Sequence, residues 1–80
     1  MERLKSAEKV VVGAKQVLKA IRAGEAEVVY LAQDANAHVT TPLKDACKEQ
    51  ETEYVYVDEM IKLGKACGIK VNASAAAILE

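Results

Sequence analysis

Eighty residues, 51% of them apolar and with a net charge of -1, define one small domain (residues 1–80) with a modest core. No apolar run approaches the roughly 20 residues of a membrane span, and the charged start MERLKSAEK lacks the apolar centre of a secretion signal, so a soluble, cytoplasmic protein is expected. A pI of about 5.8 argues against indiscriminate binding to nucleic acid.

The net charge hides a segregation. Residues 1–24 carry six Lys/Arg and two Glu, a balance of +4. Residues 25–59 carry two Lys and nine Asp/Glu, a balance of -7, and residues 60–80 carry three Lys and one Glu, a balance of +2. If the two basic ends meet in the fold, they make one local positive surface.

Arg3 to Lys9 has room for one or two helical turns, and Val10 to Val12 is a short strand candidate ended by Gly13. From Ala14 the spacing is helical. Ala14, Val17, Leu18 and Ile21 fall on one side, and Lys15, Lys19 and Arg22 on another; Gly24 is a natural stop. Val28 to Ala32 (VVYLA) is a continuous apolar run that suits a strand covered on both faces. DANAHVTTP reads as a loop, with Thr41 as N-cap and Pro42 as first residue of a helix that buries Leu43, Ala46 and Cys47. After the polar break EQETE, Tyr54 to Val57 reads as a third strand. Tyr54 and Tyr56 share a face that a helix is expected to cover. Asp58 is then the expected cap of a helix placing Met60, Leu63 and Cys67 together, with Gly68 as its stop. Ile69 to Ser74 is a loop. Ala75 to Leu79 is a last strand, a weaker one because alanine is a poor strand former. Strands alternating with helices imply an α/β fold, a central sheet with helices on both faces.

The chemistry-bearing residues are few. No GxxxxGK[ST] or GxGxxG is present, and Ser6 and Ser74 lack a GxSxG context. Cys47 and Cys67 form no CxxC and sit where helices want small apolar residues, so reduced, packed thiols are expected. His38 is remote from both, which leaves zinc without support; no metal or cofactor is expected. A small enzyme built on Cys67 has the least support. The start of the helix after Gly13 is the best candidate site. Its free N–H groups and positive dipole end point outward beside Lys15, Lys19 and the Gln16 amide, a set that suits phosphate plus base-edge recognition in RNA. A solvated basic face after a turn glycine is the competing reading. GIKVNAS (Gly68 to Ser74) is the second feature. Ile69 and Val71 can tuck into the core or meet an unstacked base, and the pattern alone leaves both open.

VVVGAKQVLKAIRAG, EVVYLAQDA and LGKACGIKVNASAAAI together resemble the kink-turn-binding ribosomal-protein superfamily of the large-subunit seven-Ae and thirty-e type, over nearly the whole chain. The similarity is closest to its short bacterial seven-Ae-like branch. The resemblance implies a non-enzymatic RNA-binding protein with a three-layer α/β/α fold and a mixed four-stranded sheet. It implies that Gly13, Ala14, Lys15, Gln16 and Lys19 meet the guanines of tandem sheared G·A pairs. Ile69, Lys70, Val71 and Asn72 would pack on the kink and its extruded nucleotide. Archaeal and eukaryotic members usually carry Asn-Glu where this chain has Lys15-Gln16; the short bacterial branch resembles this chain there. The expected partner is a kink-turn in ribosomal RNA, a riboswitch or another structured RNA, bound by a monomer that is ribosome- or RNP-associated. An alternative is a protein-interaction module of the ribosome using the acidic segment from Asp45 to Glu59.

Overall fold

The computed structural model describes residues 2–80. In chain order they form α1 (Glu2–Ser6), β1 (Val10–Val12), α2 (Ala14–Arg22), β2 (Ala26–Ala32), α3 (Ala37–Gln50), β3 (Glu53–Val57), α4 (Met60–Ala66) and β4 (Ala75–Leu79). The strands lie side by side in the order β1-β4-β2-β3. β1, β2 and β3 run in one direction, and β4 is inserted antiparallel between β1 and β2, with Ala76 opposite both Val12 and Tyr30. The sheet is thus mixed and four-stranded, as expected.

Period-two alternation divides the strand residues between two cores. Val29, Leu31, Ala75 and Ala77 face α2 and α3, packing with Val17, Ala20, Ile21, Leu43, Ala46 and Cys47. Val28, Tyr30, Ala76 and Ile78 face the other way, against Leu4 of α1 and Leu63 and Ala66 of α4. This is the expected three-layer α/β/α architecture. Alanine is a poor strand former in isolation, yet Ala75, Ala76 and Ala77 are fully buried in the interior strand. Tertiary burial overrides propensity here, and short side chains let helices approach from both sides.

Two helix starts differ from the sequence reading. α3 begins at Ala37, not Pro42. Asn36 is its N-cap, accepting from His38 N at 2.8 Å, and the Asn36 carbonyl accepts from Val39 N and Thr40 N. Thr41 and Pro42 therefore lie inside the helix. The N–H that proline lacks would have bonded the His38 carbonyl, and both residues are exposed, so water can serve that carbonyl. The first residues after the Asn36 cap supply the nucleus that Thr41-Pro42 was expected to supply.

At α4, Asp58 is not the cap. Glu59 holds the N-cap position without a side-chain bond, and Asp34, in the loop after β2, accepts from Met60 N at 2.7 Å. A cap borrowed from 26 residues away also ties two loops together. Tyr54 and Tyr56 do share a face, and their rings meet edge-to-face at 6.1 Å. Only Tyr54 packs on the core; Tyr56 is 45% exposed, because β3 is the edge strand and α3 reaches no further. Among the described residues no helix is long and apolar enough to cross a membrane, and no group of His, Cys, Asp and Glu is arranged to hold a metal.

Candidate nucleic-acid interface

Because β1, β2 and β3 are mutually parallel, their C-terminal ends all emerge at one edge of the sheet, where open α/β folds present their ligand sites. β4 runs the other way, so its beginning arrives at the same edge. The helix start at Gly13 and the loop before β4 are brought together there. Gly13 N donates to Ala75 O at 2.9 Å, and Ala32 N donates to Ser74 O at 3.0 Å. Ala73 N donates to Met60 O at 3.1 Å, and Met60 N reaches Asp34. These four bonds link the two candidate segments and the loop after β2 into one hydrogen-bonded frame.

Gly13 is the N-cap of α2, with φ 102° and ψ 147° and no side chain to bond the helix start. That backbone region is close to glycine-only. The first intrahelical bond runs from Val17 N to Gly13 O at 3.0 Å, so the N–H groups of Ala14, Lys15 and Gln16 have no partner within the helix. The first turn holds no acidic residue, which leaves the positive dipole end uncompensated. Lys15, Gln16 and Lys19 are exposed, while Val17, Ala20 and Ile21 are buried on the opposite side. Ala14 is half-buried and packs against the core. The predicted stripe is therefore real: one face of α2 holds the helix down and the other presents amide and ammonium groups.

The second segment has two sorts of residue. Ile69 is half-buried and packs on the α1/α4 core, so it anchors the loop from beneath. Ala73 is the second anchor. Between them Lys70, Val71 and Asn72 are exposed, Val71 to 67%. Of the alternatives left open by the sequence, Ile69 takes the core and Val71 takes the surface. Ile61, Lys65, Ile69, Lys70 and Val71 enclose a shallow hollow of about 290 Å³ beside the loop. Lys15, Lys19, Lys65 and Lys70 make no ion pair among the described residues, whose two surface pairs are Arg3–Glu53 and Lys62–Glu59.

Sequence reasoning missed two contributors. Asp34 positions the site through its bond to α4, and nothing in its neighbours announces a cap for a helix so far along the chain. Gly64 lies where the loop crosses α4. A Cβ there would collide with the Val71 carbonyl, so only glycine lets the loop backbone rest on the helix.

The cysteines take no part in this surface. Burial pushes the Cys47 thiol up to about 11, and it also raises Cys67, which is half-buried against the α1/α4 core. Both are neutral thiols at pH 7, the reverse of what a nucleophile needs. Iodoacetamide at neutral pH should therefore modify Cys67 slowly and leave Cys47 untouched until the protein unfolds. Rapid labelling of Cys67 would revive a thiolate role. A thiol raised in the fold contributes stability below its ordinary value of 9.0, and this is lost as pH rises toward about 11. Melting temperature should fall across that interval, and less steeply in Cys47→Ala.

A family model described as the ribosomal protein L7Ae/L30e/S12e/Gadd45 family matches residues 1–80. An RNA-binding protein of Caldanaerobacter subterraneus subsp. tengcongensis is 49% identical over 67 residues, covering 84% of this chain and 82% of that protein. RNA-binding protein YbxF of Geobacillus stearothermophilus is 42% identical over 79 residues, covering 99% of this chain and 96% of its own length. Among solved structures, a Giardia lamblia 15.5kD RNA binding protein superposes with a TM-score of 0.89 at 30% identity, covering 99% of this chain and 67% of that one.

Proposed function

Because the chain belongs to the ribosomal protein L7Ae/L30e/S12e/Gadd45 family, we propose that it is a non-enzymatic RNA-binding protein that recognises and stabilises kink-turns. The observation that carries this reading is the Gly13–Ala75 hydrogen bond, which fixes an uncapped helix start beside an exposed loop tip. The unpartnered amides of Ala14, Lys15 and Gln16, with the Gln16 side chain, meet the edges of the guanines in sheared G·A pairs. Gly13 lets the RNA approach the backbone. Lys15 and Lys19 add charge, and Lys19, one turn along the helix, holds a phosphate. Val71 covers the extruded nucleotide, flanked by Lys70 and Asn72, while Ile69 holds the loop in place. Stabilisation follows from differential affinity: the rigid pair of elements fits the kinked conformer, so binding shifts the RNA population toward it. The target is a kink-turn of ribosomal RNA, a riboswitch or another structured RNA, bound by a cytoplasmic, ribosome- or RNP-associated monomer.

Titration against a kink-turn RNA, and against the same RNA with both G·A pairs replaced, tests the reading directly. Tight binding to the first alone is expected, and equal affinity would overturn it. Lys19→Ala should weaken binding and reduce the salt slope by about one, the signature of one lost phosphate contact. Arg22→Ala, further from the helix start, should leave that slope nearly unchanged.

A further inference from the structure

The sheet has two open edges of unequal character. β1 has three residues, all half-buried, with Lys9 before it and Lys15 shortly after. β3 has five residues and carries neither lysine nor proline, two of the usual guards of an edge. Among the described residues it also carries two of the four large apolar side chains that stand well exposed, Val55 at 41% and Tyr56 at 45%.

Its backbone is available for pairing. Gln33 N donates to Val57 O at 2.7 Å, so the Val57 carbonyl points in the plane of the sheet toward β2. Alternation then turns the N–H and C=O of Tyr54 and Tyr56 outward, away from every other strand. The electrostatic surroundings are one-sided. From Asp45 to Glu59 there are six carboxylates and one lysine. Glu51 and Glu53 stand at one end of β3, and Asp58 and Glu59 at the other. Arg3 of α1 already binds Glu53 at 3.2 Å, which shows the pairing this edge offers to a guanidinium.

We propose that the outer edge of β3 is a docking site for an extended, Lys/Arg-rich segment of a partner protein, which adds as a fifth strand. Main-chain bonds to Tyr54 and Tyr56 give affinity, Tyr56 receives the segment's apolar side chains on one face, and the carboxylates, Glu53 on the other face among them, select its basic residues. An RNA strand is disfavoured because the same carboxylates repel phosphate. A second copy of the chain is disfavoured as well: pairing β3 with itself about Val55 would set Glu51 of one copy against Glu59 of the other. β3 lies on the opposite side of the sheet from β1 and the Gly13 helix start, and only its Asp58–Glu59 end, next to Met60, approaches the proposed RNA surface.

The probe is a synthetic peptide of alternating basic residues and valine, Lys-Val-Arg-Val-Lys-Val-Arg, titrated into the isotope-labelled protein. We expect amide shifts and slowed hydrogen exchange centred on Tyr54 and Tyr56. Methylating alternate peptide nitrogens should weaken binding by about tenfold or more, the effect of losing two or three main-chain bonds. Tyr56→Pro removes an N–H that β2 does not use and should abolish docking. The same variant should bind kink-turn RNA as before, which shows that it is folded. Four results would overturn the proposal: no binding, equal binding of the methylated peptide, shifts located away from β3, or self-association through β3 in sedimentation.

Discussion

Gly64→Ala is expected to lower the melting temperature and to weaken RNA binding more than removal of any single lysine. Alanine normally strengthens a helix relative to glycine by roughly 0.5–1 kcal/mol, so the expected sign is the opposite of the propensity effect. The reason is the loop lying on α4. The new methyl group would occupy the position of the Val71 carbonyl, a backbone atom that cannot rotate aside. Either the loop lifts or the helix shifts, and overpacking of this kind costs about 1–3 kcal/mol. For a domain of this size each kcal/mol corresponds to roughly 4–8 °C in Tm. The loop that lifts carries Lys70, Val71 and Asn72, and it is continuous with the Ala73 bond to Met60. Thermal melting together with titration against a kink-turn RNA measures both effects. A raised melting temperature with undiminished affinity would show that the loop is not seated on Gly64.

Ile21→Ala should produce the larger loss of stability with a smaller effect on the binding surface. Ile21 is fully buried beneath α2, beside Val17, Leu31 and Ala77. Truncating a buried isoleucine costs about 2–5 kcal/mol, a large share of the roughly 5–15 kcal/mol that holds a typical domain together. Lys15, Gln16 and Lys19 lie on the opposite side of the helix and are untouched. At temperatures where the variant is still folded, RNA affinity should fall only slightly, and saturating RNA should restore much of the lost melting temperature by mass action. Chemical denaturation with and without RNA separates these outcomes. An affinity loss as deep as that of Gly64→Ala, in protein shown to be folded, would mean that α2 is held at its N-terminus by less than the Gly13–Ala75 bond suggests.

What the sequence discloses about this chain depends on how local the physics is. VVV, VVYLA and YVYV are legible as strands because their residue types are enriched there, and α2 is legible because its two faces differ in every turn. The start of α3 is misread because Thr41-Pro42 matches a helix beginning on local grounds, although Asn36 caps the chain five residues earlier. The cap of α4 is misread for a stronger reason: Asp34 belongs to another loop, and no window around Met60 contains it. The candidate site follows the same division. Lys15, Gln16 and Lys19 are legible as an exposed stripe, and Val71 as a surface residue is half legible. That Gly13 and Ala75 are hydrogen-bonded neighbours depends on the antiparallel insertion of β4, which pattern alone does not reveal. Gly64 is legible only as part of LGKACGI, a marker of resemblance; its purpose is a contact between segments seven residues apart.

The place of β4 has a consequence for the order of events during synthesis. β1 and β2 do not touch as strands; β4 stands between them and pairs with both. A ribosome that has delivered everything up to Ser74 has therefore delivered two strands with an empty slot between them. The two halves of the proposed RNA surface cannot be joined in that nascent chain, because the carbonyl that receives Gly13 belongs to Ala75. The sheet can close only once β4 is available to pair with both neighbours. A chain stalled before Ala75 lacks the carbonyl that joins the two segments, so the proposed surface can be whole only after that codon has been translated.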